Sequence, residues 1–180
     1  KAAIAGGITS FMEMPNTLPQ TTTRKEWEAK NKRAEDTSFA NYAFMFGGTN
    51  DNLEEILALD TKRVPALKLF LGSSTGNMLV DNPDVLRKIF SNTDLVISVH
   101  CEDEATIRAN MLDAVETYGD DIPMAQHPII RSENACYLSS SQAVALAKET
   151  GARLHVFHVS SAKELSLFRN DIPLKDKKIT

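Results

Sequence analysis

The stretch LVISVH, residues 95–100, decides the fold class, because it is an almost continuous apolar run that ends in a histidine. Strands that are buried on both faces carry such runs, which are typical of parallel sheets covered by helices. Four further strand-like runs lie at residues 8–14, 41–46, 64–71 and 153–159. These five runs alternate with helical patterns, so the sequence predicts a parallel α/β fold.

Helical patterns fill the intervals between the predicted strands. They lie at residues 21–36, 52–59, 83–90, from Glu102 onwards, 132–150 and 162–168. Asp81 and Asn82 supply a helix cap, and Glu102 with Asp103 is interpreted as the acidic first turn of a helix. The loop GSSTGN, residues 72–77, lacks the lysine and glycine spacing of a phosphate-binding loop, so we interpret it as a flexible connection. A barrel and a doubly wound sheet both fit this order of elements.

Composition limits the classes of partner and location. The chain has 180 residues, 42% hydrophobic and 24% charged, which fits one globular domain spanning residues 1–180. Its net charge of -4 with interleaved signs provides no basic patch, which argues against a nucleic-acid partner. No apolar run approaches the roughly 20 residues that span a bilayer. The apolar stretch at the start of the chain is too short for a secretory signal. We therefore expect a cytoplasmic protein without a membrane partner.

Two histidines stand near the ends of predicted strands. His100 closes one strand and His158 comes near the end of another, so both are expected at the same rim of a parallel sheet. Neutral imidazole nitrogens that converge from separate strands suit a divalent metal such as zinc. A single strand-end histidine is more often a hydrogen-bonded core residue, but two in equivalent positions favour the metal interpretation.

Lys68 lies inside an otherwise apolar strand, where its charge must be removed or paired. Burial lowers the pKa of a lysine and leaves a free amine that can be carbamylated by carbon dioxide. An ammonium group that reaches the rim, or that pairs with a carboxylate, is the alternative at this point.

His155 shares the last predicted strand with His158 but has the opposite parity. Because alternate residues of a strand point to opposite faces, we expect His155 to face the helices if His158 faces the functional side. A structural role is therefore predicted for His155.

Four stretches resemble one known family when they are taken together. They are AGGITSFMEMPNTLP (5–19), ALKLF (66–70), SVHCEDE (98–104) and HVFHVSSAKEL (155–165), and HPIIRSENACY (127–137) is also typical of the group. In this order the chain resembles the dihydroorotases, which are metal-dependent TIM-barrel hydrolases of the amidohydrolase superfamily. The likeness covers most of the chain.

The resemblance implies a (β/α)8 TIM barrel, of which residues 1–180 form a single partial domain holding about strands two to six. The family carries an H-x-H pair at strand one and an aspartate at strand eight, which are expected upstream of residue 1 and beyond residue 180. Five strands leave two open sheet edges, so this segment alone is expected to self-associate or to need its missing parts. A homo-oligomer is expected for the complete protein.

The resemblance also implies roles for four residues. Lys68 would be the carbamylated ligand that bridges two zinc ions, while His100 and His158 would bind the second of these ions. Asn16 would help to hold the carboxylate of dihydroorotate. No residue of this chain is assigned as the acid–base group. With three metal ligands at most, the segment alone is expected to show little turnover and could be free of metal.

The implied reaction is the reversible hydrolysis of the cyclic amide of dihydroorotate to N-carbamoyl-aspartate in pyrimidine biosynthesis. Two alternatives stay open. One is a dihydropyrimidinase, hydantoinase or allantoinase, which shares the scaffold but takes another small-molecule ring. The other is a non-catalytic relative that serves as an assembly scaffold and docks to an aspartate transcarbamoylase.

Overall fold

The computed structural model describes residues 1–72 and 76–180, so the middle of the predicted 72–77 loop lies outside the described residues. The helices include α1 (Ala2–Ala5), α2 (Arg24–Thr37), α3 (Leu53–Leu57), α4 (Pro83–Asn92), α5 (Glu104–Tyr118), α6 (His127–Ile130) and α7 (Glu133–Thr150). The strands include β1 (Ser10–Glu13), β2 (Asn41–Phe44), β3 (Phe46–Gly47), β4 (Leu67–Phe70), β5 (Ile97–His100) and β6 (Leu154–Val156). Each of the five predicted strand regions therefore contains a strand.

The second predicted strand is divided between two sheets. Its first part, β2, pairs in parallel with β1, and its second part, β3, pairs in parallel with β4. Met45 lies at the division: its amide donates to the Glu13 carbonyl at 3.1 Å, while the next amide, of Phe46, donates to Ala66. β4, β5 and β6 then follow in parallel.

The strand order follows the chain order without reversal. A doubly wound sheet reverses its strand order at the point where ligands bind, whereas a barrel adds each strand beside the previous one. At the far side of β6, the amide of Thr180 donates to the Leu154 carbonyl at 3.0 Å, which adds a further parallel bridge. The chain is therefore a partial barrel, as predicted.

The core lies between the sheet and the helices. On β4, β5 and β6 the residues of one parity are almost wholly buried and join a cluster with the apolar side chains of α4 and α7; they are Leu67, Leu69, Ile97, Val99, Leu154 and Val156. Because side chains alternate along a strand, the residues between them face the opposite side, which is the interior of the partial barrel.

Capping side chains set the starts of four helices. Thr23 caps α2, Asn82 caps α4 and Ser132 caps α7, each by accepting a backbone N–H of the first turn. The predicted acidic start at Glu102 is wrong, because Asp103 is the cap of α5 and accepts from Thr106 at 2.8 Å. None of the helices in the described ranges is long and apolar enough to cross a membrane.

Gly72 lies where the ends of β4 and β5 come together. The amide of the preceding residue, Leu71, donates to the His100 carbonyl at 2.9 Å. A Cβ atom added at Gly72 would lie only 2.9 Å from the carbonyl carbon of Glu102. Only glycine therefore fits here while the backbone that follows β5 keeps its place.

Candidate functional site

The strand register brings Lys68, His100 and His155 to one face. Lys68 lies beside Ser98, and Ser98 lies beside His155, while His100 lies two residues further along β5. All four positions have the parity opposite to that of the buried core residues. They line the interior of the partial barrel near the carboxyl ends of its strands, where barrel enzymes carry their active sites.

His158 lies close to these residues because the chain is no longer a strand at this position. β6 ends at Val156, and His158 has a positive φ of 39°, so the alternation of faces stops before it. Its Nε2 atom lies 3.0 Å from Nδ1 of His100. The structure therefore brings together the two histidines that the sequence placed at one rim.

The expectation that His155 faces the helices is wrong. It assumed that strand geometry continues to His158, whereas the strand ends earlier, so His155 and His158 both lie on the interior side. Nδ1 of His155 is 2.9 Å from Oγ1 of Thr180. Burial lowers the pKa of His155, and the nearby charge of Lys68 lowers it further.

Lys68 is buried, with 3% of its surface exposed. Its Nζ atom donates to the Leu69 carbonyl at 3.2 Å and lies 4.3 Å and 5.0 Å from the ring centres of Phe70 and Phe157. No carboxylate forms a salt bridge with it within residues 1–72 and 76–180. Burial lowers the pKa of Lys68 to about 7, so much of the amine is neutral near that pH.

Glu102 and Arg131 join the site, although the sequence did not single them out for it. Oε2 of Glu102 lies 2.8 Å from Nε2 of His100, and Nε of Arg131 donates to Oε1 of Glu102 at 2.8 Å. Nη2 of Arg131 also donates to Oε2 of Glu102. Burial would raise the pKa of Glu102, but the hydrogen bonds from Arg131 and His100 bring it below its usual value. The spacing of an acid two residues after a strand-end histidine was the available signal.

Asn16 and His100 both lie at the rim of the partial barrel. Asn16 is exposed in the loop that follows β1, at the carboxyl end of that strand. Burial lowers the pKa of His100 despite the opposing effect of Glu102, and this favours the neutral imidazole that a metal requires.

The residues fit a zinc ion in part. Two nitrogen ligands of one tetrahedral zinc lie about 3.3 Å apart, given Zn–N bonds of 2.0–2.1 Å. The 3.0 Å between the nitrogens of His100 and His158 is close to that separation. Among the residues with described positions, no group of three or more His, Cys, Asp or Glu side chains forms a metal site. A third ligand would therefore have to come from another group, and a carbamylated Lys68 is chemically suitable.

Comparisons with known proteins agree with this architecture. No protein-family model matches the chain. It is 29% identical over 175 residues to the dihydroorotase of Methanosarcina acetivorans, and the match covers 94% of this chain and 36% of that protein. It is 30% identical over 172 residues to the allantoinase of Solibacter usitatus, with 91% and 36% covered.

A solved structure gives the same result at the level of the fold. The structure of the L-hydantoinase (dihydropyrimidinase) from Arthrobacter aurescens superposes with a TM-score of 0.85 at 31% identity, covering 92% of this chain and 37% of that one. The chain thus spans less than two fifths of the length of each of these proteins.

Proposed function

Because the chain is a relative of the cyclic amidohydrolases over nearly all of its length, we propose that it is the central segment of a dihydroorotase. The complete protein would hydrolyse the cyclic amide of dihydroorotate reversibly to N-carbamoyl-aspartate, in pyrimidine biosynthesis. The observation that carries the proposal is the meeting of His100 and His158, whose ring nitrogens are 3.0 Å apart beside the buried Lys68.

We assign a zinc site to three of the chain's residues. Nδ1 of His100 and Nε2 of His158 would be nitrogen ligands, and Lys68 would become an oxygen ligand by carbamylation. In that step the neutral amine attacks the carbon of carbon dioxide, an N–C bond forms as one C–O π bond opens to give the carboxylate, and the nitrogen loses one proton to solvent. Zinc, when bound, would polarise the amide carbonyl and make water a better nucleophile.

The aromatic rings of Phe70 and Phe157 support this assignment for Lys68. They pack against the amine, whose burial lowers its pKa and favours the neutral form that reacts with carbon dioxide. Asn16, exposed at the end of β1, is suited to donate its side-chain amide to a substrate carboxylate. We assign the proton transfer of the reaction to no residue of this chain.

A hydantoinase or an allantoinase is the second candidate function. The solved L-hydantoinase superposes with a TM-score of 0.85, and the sequence identity to the allantoinase of Solibacter usitatus is 30%. These enzymes are named for different rings, so the ligands that His100 and Lys68 provide do not distinguish them.

Comparing substrates tests the proposal. The complete protein that carries this chain is assayed with dihydroorotate, dihydrouracil, hydantoin and allantoin at equal concentrations, with zinc and bicarbonate present. We expect kcat/KM for dihydroorotate to exceed the others by at least tenfold. If the protein preferred another of these rings, dihydroorotate would not be its substrate. If it hydrolysed none of them, the result would favour the non-catalytic scaffold that docks to aspartate transcarbamoylase.

A His100→Gln variant is the matched control for that assay. It removes one assigned ligand while keeping a side chain of similar polarity. We expect loss of both zinc and hydrolysis. If hydrolysis were kept in this variant, the assigned zinc site would be wrong.

A further inference from the structure

Three hydrogen bonds connect Arg131 to the histidine pair. Arg131 donates through two of its nitrogens to the two oxygens of Glu102, whose Oε2 atom is in turn 2.8 Å from Nε2 of His100. Nδ1 of His100 faces Nε2 of His158 at 3.0 Å. Glu102 is buried, with 6% of its surface exposed, so these partners rather than water satisfy its oxygens.

The chemistry of the partners fixes where the protons lie. Arg131 has only donors, and an ionised carboxylate has only acceptors. Nε2 of His100 must therefore carry the proton that Glu102 accepts, and Nδ1 is left with a free lone pair. That lone pair faces Nε2 of His158 at 3.0 Å and can accept a proton from it.

We propose that Glu102 and Arg131 are positioning residues that hold His100 in the tautomer with a bare Nδ1, ready to bind a cation. Arg131 acts through Glu102, because it occupies the carboxylate with two hydrogen bonds and fixes its orientation. Carboxylate partners of this kind commonly set the tautomer of a histidine ligand. The assignment of the tautomer rests on geometry alone, while its use for metal binding rests on the proposed function.

A Glu102→Gln variant keeps one acceptor beside His100. Its amide has one oxygen and one NH2 group, and only the oxygen can accept from Arg131 or from Nε2 of His100. Oε2 of Glu102 accepts from Nη2 of Arg131 and lies 2.8 Å from Nε2 of His100, so an amide oxygen in its place can keep both bonds. We expect His100 to keep the proton on Nε2 in this variant.

Two double variants test whether the acceptor sets the tautomer. In E102Q/R131M the amide oxygen has no arginine beside it and can accept from Nε2, so we expect the original tautomer. In E102M/R131M no acceptor remains, and we expect His100 to become a mixture of tautomers. This apolar pair leaves no buried charge, so it tests the proposal even if E102Q fails to fold.

The tautomer is measured by histidine-selective 15N NMR on the complete protein that carries this chain, after removal of metal. The His100 signals are identified by their loss in a His100→Gln variant. Arg87→Gln is the control, since it breaks the exposed ion pair of Arg87 with Glu149 and should leave the His100 tautomer unchanged. If E102M/R131M kept the proton on Nε2, the proposal would be overturned.

Zinc affinity gives a second, separate readout. We expect E102M/R131M to bind zinc at least tenfold more weakly than the original sequence, and E102Q/R131M to bind it more tightly than E102M/R131M does. If the original protein bound no zinc but its tautomer responded as described, the zinc site would fail and the positioning role would stand. If affinity fell equally in E102M/R131M and E102Q/R131M, the tautomer would not be what sets the affinity, and the proposal would fail.

Discussion

Lys68 shows how one buried side chain can link stability to pH. Burial lowers its pKa to about 7 in the folded chain, against 10.5 for an ordinary lysine. Between these values the unfolded chain binds more protons than the folded chain. The free energy of unfolding should therefore rise as the pH increases from 7 to about 10, and the full cost of burying the protonated amine is present below pH 7.

We predict that Lys68→Met removes most of this dependence. Methionine has a similar volume and no charge, so the variant should be more stable than the original chain at pH 7, by a few kcal/mol at most, since one pKa unit corresponds to about 1.4 kcal/mol. Urea unfolding at pH 7, 8.5 and 10 measures the slope. Lys175→Met, at an exposed position, is the control. Equal slopes in all three proteins would contradict the prediction.

At the residue scale the sequence predicts the site unevenly. His100 and Lys68 can be found because each ends or interrupts an apolar run, and that contrast is local. His155 was misplaced because alternation holds only while the chain is a strand, and a positive φ at His158 is not visible in the sequence. Arg131 comes from a loop 29 residues after Glu102, so only tertiary structure brings the two together.

At the scale of single elements, the junction of β4 and β5 depends on Gly72. Alanine at this position would place its Cβ against the backbone of Glu102, which cannot move as a flexible side chain does. We predict that Gly72→Ala destabilises the chain by about 1–3 kcal/mol, a typical cost of overpacking.

The same variant should also disturb the His100 region, because Glu102 would have to shift. The His100 15N and ring proton shifts should change in Gly72→Ala. Gly6→Ala is the matched control, since its added Cβ would meet only ordinary contacts at 3.6 Å. The prediction fails if both variants have the same unfolding midpoint and the same His100 spectrum.

The elements themselves were largely predictable, and their ends were not. Apolar runs and capping residues predict the positions of α2, α4, α7 and β5 to within a few residues of those in the structure, because both signals are local. The division of the second strand at Met45 could not be seen, since it arises from which neighbour each half pairs with. The predicted helix at 162–168 is instead a 3₁₀ helix, Lys163–Leu167.

At the scale of the whole molecule, β1 is an open edge. Within the described part of the chain it pairs only with β2, and Met12 at its centre is 61% exposed. Unpaired, apolar strand edges recruit other strands, and lysine on the edge opposes this. We predict that the isolated 180-residue chain self-associates and that Met12→Lys shifts it towards the monomer.

Sedimentation velocity at several protein concentrations checks this prediction. Leu174→Lys is the control, because Leu174 is exposed to a similar degree on a short 3₁₀ helix outside both sheets. A monomeric original chain at every concentration, with a single cooperative unfolding transition, would contradict it.

The sequence alone left a barrel and a doubly wound sheet equally possible, since both alternate strands and helices. The structure decides between them by strand order, which depends on long-range pairing that no local pattern encodes. The family resemblance favoured the barrel, and it did so through motifs at strand ends rather than through the strands themselves.

The divided second strand implies that the two ends of the molecule can open separately. The strand pairing of β1 with β2 ends at Met45, where the backbone changes its pairing partner, and the Trp27 indole donates to the Phe44 carbonyl at 2.9 Å within this part. Native-state hydrogen exchange should therefore show faster exchange for amides of residues 10–13 and 41–44 than for those of residues 67–70 and 97–100. Trp27→Phe should speed the first group and leave the second unchanged, whereas a uniform increase would mean that the chain opens only as a whole.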